Sequence, residues 1–420
     1  MSLPTSAKLT PLDPTRPRRE LTFMESPVAS KQARFQNRRM LIPEIDLKKY
    51  RFKAVIDYVV VRVFTDKTQH QWIQKALRTV LERDSWISPV NPGAGKESDE
   101  FDIKIQEPSS AALVAAAIEA VSKERGERRA PELREIEFSL DVYSRGGDEQ
   151  ERDKMVGLLQ RTYFAETTRW QDDMDMPRTI AMNVGESDPK TETSYLTPEM
   201  GAKRNSSLNV RPGADEFRSP FVEGTMYLGA KDTSGMIRIQ NKVRDQQYPE
   251  KGTFNALAAD QARARVEVTL KSCDLELFGL RELRDLKGFS YAKLQKKYFQ
   301  FMLPTFACED PEKSSATNAV VALGEHKRAD VFLKSGILAL LRRDEVWENH
   351  KASERPKVKK VFRLQGWTIN QSRTGSGSRS TMISYDLMNK EVATAFRHLG
   401  ERDQRAWARG ERSSESSQGV

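Results

Sequence analysis

Four carboxylates stand where acids are costly. Asp57 lies in the middle of the β-branched run AVIDYVVV, Glu137 and Asp141 lie in IEFSLDV, and Glu267 lies in ARVEVTL. A carboxylate inside an apolar strand loses its hydration, so each must be paired, hydrogen-bonded or ligating a cation. On an alternating strand Glu137 and Asp141, four residues apart, point to the same face. Hard carboxylate oxygens gathered on one sheet face suit Mg²⁺ or Mn²⁺. The competing reading is that some of these acids face solvent or pair with Arg62 and Arg265, which on a surface contributes little.

Other chemistries find less support. His70, His326, His350 and His398 are scattered and show no paired spacing for a histidine metal site. The fragment GAGKES lacks the leading spaced glycine and the strand-to-helix setting of a phosphate loop, so a nucleotide-driven motor is not supported. Tyr291 and Tyr298, seven residues apart, fall on one helix face, where packing is the default role.

The elements that must position the acids follow from hydrophobic periodicity. FKAVIDYVVVRVF (52–64) reads as a buried strand. TDKTQHQWIQKALRTVLERD follows as a helix with Trp72, Ile73, Ala76, Leu77 and Val80 on one face and Thr65 or Asp66 as its N-cap. Then come a Pro/Gly loop, the strand FDIKIQ, a helix capped by Ser109 or Ser110 and closed by Gly126, the strand LREIEFSLDVYSR, and the helix DEQERDKMVGLLQRTYF. Residues 165–222 are polar and broken by Pro and Gly, which reads as an irregular insertion. Strand pattern resumes in TMYLGA, GMIRIQNK and ARARVEVTLK, and a mostly helical stretch covers 274–303. The pattern predicts an α+β fold, a mainly antiparallel central sheet with helices on one face.

Composition sets the frame around that domain. The chain has 420 residues, 38% hydrophobic and 31% charged, with a net charge of +9 and a pI near 9.3. Such a balance favours a polyanionic partner, because Lys and Arg release counterions from the phosphates they neutralise. Residues 1–50 read as a basic, partly disordered arm, 51–303 as the principal domain, and 304–420 as a basic C-terminal α/β module with a flexible tail. In that module basic residues interleave with Phe362, Trp367 and Phe396, as suits DNA contact. Cys273 and Cys308 form no disulfide framework, and no apolar run approaches a membrane span, so a cytoplasmic location without membrane contact is expected.

One combination of motifs resembles a known family. TMYLGAKDTSGMIRIQNKVRD, followed some twenty residues later by ARARVEVTLK, is similar to the replication initiation factors of rolling-circle plasmids, filamentous phages and integrative elements. Tyr227, Leu228 and Gly229 match that family's hairpin, Arg238 and Lys242 flank its nucleophile strand, and Arg265 and Glu267 match the strand that follows. Asp57 would supply the acid of the family's first strand, and Glu137 or Asp141 another carboxylate beside the metal. The resemblance covers roughly residues 50–300 and implies a Rep nicking domain. There a tyrosine attacks an origin phosphodiester, with Mg²⁺ or Mn²⁺ held by the acids. It also implies that Arg238, Lys242 and Arg265 line the phosphate path.

The chain departs from the pattern at the nucleophile itself. Gln240 stands at the tyrosine position, and an amide cannot form a phosphotyrosine link. Three explanations stay open: another tyrosine serves (Tyr227, Tyr248 or Tyr291), an activated water cuts without covalent capture, or the domain binds DNA that another protein cuts. The expected function is therefore origin-dependent replication initiation with strand nicking and joining. The alternative is a DNA-binding initiator or repressor that does not cut. Expected partners are origin DNA, a host helicase or polymerase, and a second copy of the chain as a homodimer.

Overall fold

The computed structural model describes residues 2–11, 16–93, 97–165, 178–180, 208–209, 219–228, 235–248, 253–310, 312, 314–341, 343–344 and 381–417. Strands β1 (Ser6–Leu9), β2 (Arg19–Pro27) and β3 (Arg38–Pro43) lead into the long β4 (Tyr50–Gln69). Helix α1 (His70–Leu77), β5 (Trp86–Pro89), β6 (Glu97–Gln106), α2 (Ala111–Arg125), β7 (Arg129–Ser144) and α3 (Glu149–Thr162) follow. Next are β8 (Tyr163–Phe164), β9 (Arg178–Ile180), β10 (Leu208–Asn209), β11 (Thr225–Leu228), β12 (Met236–Lys242), β13 (Arg244–Tyr248), β14 (Thr253–Ala256) and β15 (Arg263–Lys271). The last elements are α4 (Ser272–Leu277), α5 (Tyr291–Tyr298), β16 (Gln300–Ala307), α6 (Ser315–Ser335), β17 (Met382–Ser384) and α7 (Asp386–Ser417).

The fold is α+β. Seven antiparallel strands form the central sheet in the order β11-β12-β15-β7-β4-β6-β5. Alternation assigns the faces: Ile136, Phe138, Leu140 and Val142 of β7 and Ala264, Val266, Val268 and Leu270 of β15 are all buried in one apolar core. The same core takes Val114, Ile118 and Val121 of α2, Met155 and Leu159 of α3, and Val392, Phe396 and Leu399 of α7. Each such side chain contributes about 1.5–3 kcal/mol when fully buried. The opposite row, Glu137, Ser139 and Asp141 with Arg263, Arg265, Glu267 and Thr269, is polar, although every member is buried.

Helix α2 shows how local signals fix an element. Ser110 Oγ accepts from the Leu113 amide, and Gly126 closes the helix at φ 76°, a left-handed conformation that glycine adopts without steric cost. A Cβ at Gly126 would also stand 2.7 Å from Asp66 Oδ2. The first turn has a distant partner, since the Ala111 amide donates to Asp403 Oδ1 at 2.7 Å and the Tyr291 hydroxyl donates to Asp403 Oδ2 at 3.0 Å.

Several sequence expectations need correction. Residues 1–50 are not a loose arm: β1, β2 and β3 join β16 and β17 in a second sheet, and Leu9, Leu21, Phe23 and Leu41 enter the core. The described part of 304–420 is not a separate module either, because α7 lies on β4, where Arg402 Nη2 donates to the Ala54 carbonyl at 3.0 Å. The N-terminal segment has no sustained apolar period of its own, whereas the apolar stripe Met388, Val392, Ala395, Phe396 and Leu399 of α7 is covered by the shared core and not by a separate one. Helix α1 starts at His70 after Gln69, not at Thr65 or Asp66, because β4 continues pairing with β6 as far as Gln69↔Glu97. The stretch 274–303 contains two short helices and then enters β16. Most of the insertion 165–222, Gly229, and the run that holds Phe362 and Trp367 lie outside the described residues. Among the described residues no helix is long and apolar enough to cross a membrane.

Candidate functional site

The polar face of the sheet is ordered by register. Across β12, β15 and β7, Arg238 pairs with Glu267 and Glu267 with Ser139, while Gln240 pairs with Arg265 and Arg265 with Asp141. Paired residues in an antiparallel sheet share a face and lie about 4.5–5.5 Å apart, so the two rows bring acids and arginines together. Asp57 arrives by a different route. Ile56 pairs with Phe138 and Tyr58 with Glu137, which leaves Asp57 as an extra residue in a β-bulge. The bulge lets Asp57 and Tyr58 both stand on the polar side, with Asp57 reaching Arg265 and Tyr58 donating to Glu135 Oε1.

Asp57, Glu137 and Glu267 offer oxygens that lie within 4.8 Å of one another. Asp141, the fourth predicted ligand, is not in this group. Both of its oxygens accept from Arg265, Nη2 donating at 2.9 Å, and Arg263 Nε adds an ion pair at 3.2 Å. Arg265 also donates through Nη1 to Asp57 Oδ1 at 2.8 Å and to Glu267 Oε1 at 3.2 Å. Arg238 Nη2 donates to Glu137 Oε1 at 2.8 Å, and its Nε lies 2.7 Å from Glu267 Oε2. Thr269 Oγ1 donates to Glu137 Oε2.

Charge in this cluster is unevenly shared. Burial, reinforced by the neighbouring Glu267 charge, pushes the Glu137 carboxyl up to about 8. At neutral pH Glu137 therefore carries a proton. Burial also pushes Asp57 upward, but Arg265, a hydrogen bond from Glu137 and the charges of Lys242 and Arg238 outweigh it and hold Asp57 below the ordinary range. Burial opposes the Arg265 cation in turn, and Asp141, Asp57 and Glu267 hold its pKa well above the usual value. The carboxylates Asp57, Glu137, Asp141 and Glu267 face the guanidiniums of Arg238, Arg263 and Arg265. The excess acid is balanced by the Glu137 proton, or by a cation that replaces it. The donor set fits a divalent ion: hard oxygens from three strands, with Arg238 the partly exposed group that would have to give way.

The remaining predicted residues fall as follows. Lys242 ends β12 and pairs with Asp245 at 2.9 Å. Gln240 is half-buried in the row of Arg265. The Tyr227 backbone is placed directly opposite Arg238, and its side chain and that of Tyr248 lie outside the described residues. Tyr291 belongs to the other side of the sheet, against Phe138 and bonded to Asp403. It is too far into the core to act on the acid cluster. Arg62, named as a partner for the strand acids, instead holds Asp102 at 2.8 Å.

Sequence reading missed several members of this face. Lys104 Nζ stands 3.3 Å over the Tyr58 ring, and burial lowers its pKa. Tyr143, between Arg51 at 4.6 Å and Arg263 at 5.7 Å, donates to Asp141 Oδ2 at 3.3 Å. Alternation on β7 and β15 carried the signal for Tyr143, Arg263 and Thr269. For Tyr58 no signal existed, since its face depends on the bulge.

No family model matches the chain, and no curated protein matches it. Among solved structures, the rolling circle replication initiator protein from Geobacillus stearothermophilus is similar at 11% identity and a TM-score of 0.27, over 68% of this chain and 100% of that one. Function is therefore read from this chain's own residues.

Proposed function

We propose that the chain is a DNA replication initiation protein of a plasmid, phage or integrative element, binding its origin and cutting and rejoining one strand with a divalent cation. The observation that supports this reading is the convergence of Asp57, Glu137 and Glu267, from three strands, within 4.8 Å on the polar sheet face. Bound Mg²⁺ or Mn²⁺ would polarise the scissile phosphate and offset charge on its oxygens. Asp57, Glu137 and Glu267 would hold the ion, and Arg265 fixes Asp57 and Glu267 by direct hydrogen bonds. Arg238, whose side chain is 27% exposed, and Lys242 would meet the DNA phosphates from β12. Tyr227, opposite Arg238 in register, is the candidate nucleophile, and Gln240 holds the adjoining strand position without reacting.

A second reading is favoured by Gln240 itself and by Arg238 and Arg265, which already pair with Asp57, Glu137 and Glu267. In it the protein binds and distorts origin DNA while another protein cuts. Supercoiled DNA carrying the gene and its flanks, incubated with the protein and Mn²⁺ or Mg²⁺, separates the two. Nicked circles with a detergent-resistant adduct that maps to Tyr227 support the first reading. Nicking without an adduct replaces the tyrosine by water, and binding without nicking selects the second.

A further inference from the structure

Trp86 is 74% exposed on β5, the outermost strand of the central sheet. Register ties it to the candidate site. Trp86 pairs with Lys104, Lys104 with Val60, and Val60 with Glu135, so Trp86 shares the polar face. One row along, Tyr58 pairs with Glu137 of the acid cluster. Strands spaced about 4.8 Å apart and residues rising about 3.4 Å place Trp86 roughly 12 Å from Tyr58 across that face. Lys104 stands between them over the Tyr58 ring.

Among the described residues, a second exposed indole makes the contrast. Trp72 is 44% exposed, but Arg125 and Lys75 lie over it at 5.2 and 5.7 Å. Its π face is already used. Among the described residues no ring or cation stands over Trp86. An indole on an edge strand, beside a lysine, on a face with a net-basic protein behind it, has the two features of a single-strand platform: an open π surface and a cation for the phosphates.

We infer that Trp86 stacks on a base of single-stranded DNA lying across the polar face, with Lys104 beneath its backbone. This rests on the reading of the chain as a DNA-processing initiator, and extends the binding surface from β12 to the far edge of the sheet. It adds a residue that neither the acid cluster nor the family resemblance assigns.

The test titrates a labelled oligo(dT) and a labelled duplex into the full chain at low salt, for the wild type and for Trp86→Ala, Trp86→Phe and Trp72→Ala. Trp86→Ala should bind the oligonucleotide on the order of 10-fold more weakly, Trp86→Phe should keep most of the affinity, and Trp72→Ala should match the wild type. Indole emission should be quenched by oligo(dT) in the wild type, and less so in Trp86→Phe. Equal oligonucleotide affinity for wild type and Trp86→Ala, with quenching unchanged in Trp86→Phe, would overturn the stacking role alone. A wild type that binds neither DNA would overturn the functional reading beneath it.

Discussion

Two buried arginines in this molecule solve the same problem differently. Arg161 is fully buried and donates to main-chain carbonyls, to Leu333 at 2.7 Å, Gly157 at 3.1 Å and Lys8 at 3.3 Å. Burial alone pulls its pKa down to about 10. Leu333 lies in the last turn of α6, where unpaired carbonyls present a partial negative charge. Arg265, 3% exposed, sits among Asp57, Asp141 and Glu267. Carbonyl dipoles do not titrate and cannot be exchanged. Carboxylates can take up a proton or a metal ion, so only the Arg265 cluster can change state without unfolding.

Removing each arginine should separate the two settings most sharply. Arg265→Met leaves Asp57 without its cation, and leaves Asp141 and Glu267 with only Arg263 and Arg238, so it should cost about 3–5 kcal/mol in urea unfolding at pH 7. That loss should shrink at acidic pH, since the orphaned acids then protonate. Arg161→Met leaves carbonyls unsatisfied and should cost about 1–3 kcal/mol, with no recovery in acid. Equal and pH-independent losses would erase the distinction.

Glu137 gives a second contrast. Its folded pKa of about 8 lies above the ordinary 4.5, so the stability it brings is complete below pH about 4.5 and is lost as pH rises through 8. Wild-type stability should therefore fall by about 1 kcal/mol per pH unit from this group within that window. Glu137→Gln should flatten the slope. Asp57, held below its ordinary value, acts in the opposite direction at acid pH.

A smaller effect probes how distant segments support the sheet. Asp403→Asn weakens the bonds to the Ala111 amide and the Tyr291 hydroxyl, and should cost about 1–2 kcal/mol in thermal unfolding. Ser110→Ala, which removes the local cap of the same helix, should cost about 1 kcal/mol. If the Asp403 change were the milder, α7 would be a passenger on the core.

These contrasts also mark what a reader of the sequence could see. Alternation in IEFSLDV placed Glu137 and Asp141 on one face, because strand period is a local property; that Arg265 and Glu267 share it follows only from the register of β15 on β7. The presence of a helix closed by Gly126 was legible for the same reason. The face of Tyr58 was not, since one extra residue at Asp57 resets the pleat and nothing in AVIDYVVV marks it. Nor was the capture of Asp141 rather than Asp57 or Glu267 by both oxygens, which depends on pairing across three strands. The N-terminal strands, and the packing of α7 on the principal domain, were missed because their cores are completed by residues hundreds of positions away, as Arg402 on Ala54 illustrates.

On the function proposed above, the polar face holds a divalent cation through Asp57, Glu137 and Glu267, whose oxygens lie within 4.8 Å of one another. Mn²⁺ titration followed by electron paramagnetic resonance, on the wild type and on Asp57→Asn and Glu267→Gln, tests it directly. One bound Mn²⁺ per wild-type chain, weakened or lost in both variants while the fold persists, is the predicted result. No bound Mn²⁺ in the wild type, or equal binding in all three proteins, would contradict it and leave the cluster as a closed network of ion pairs.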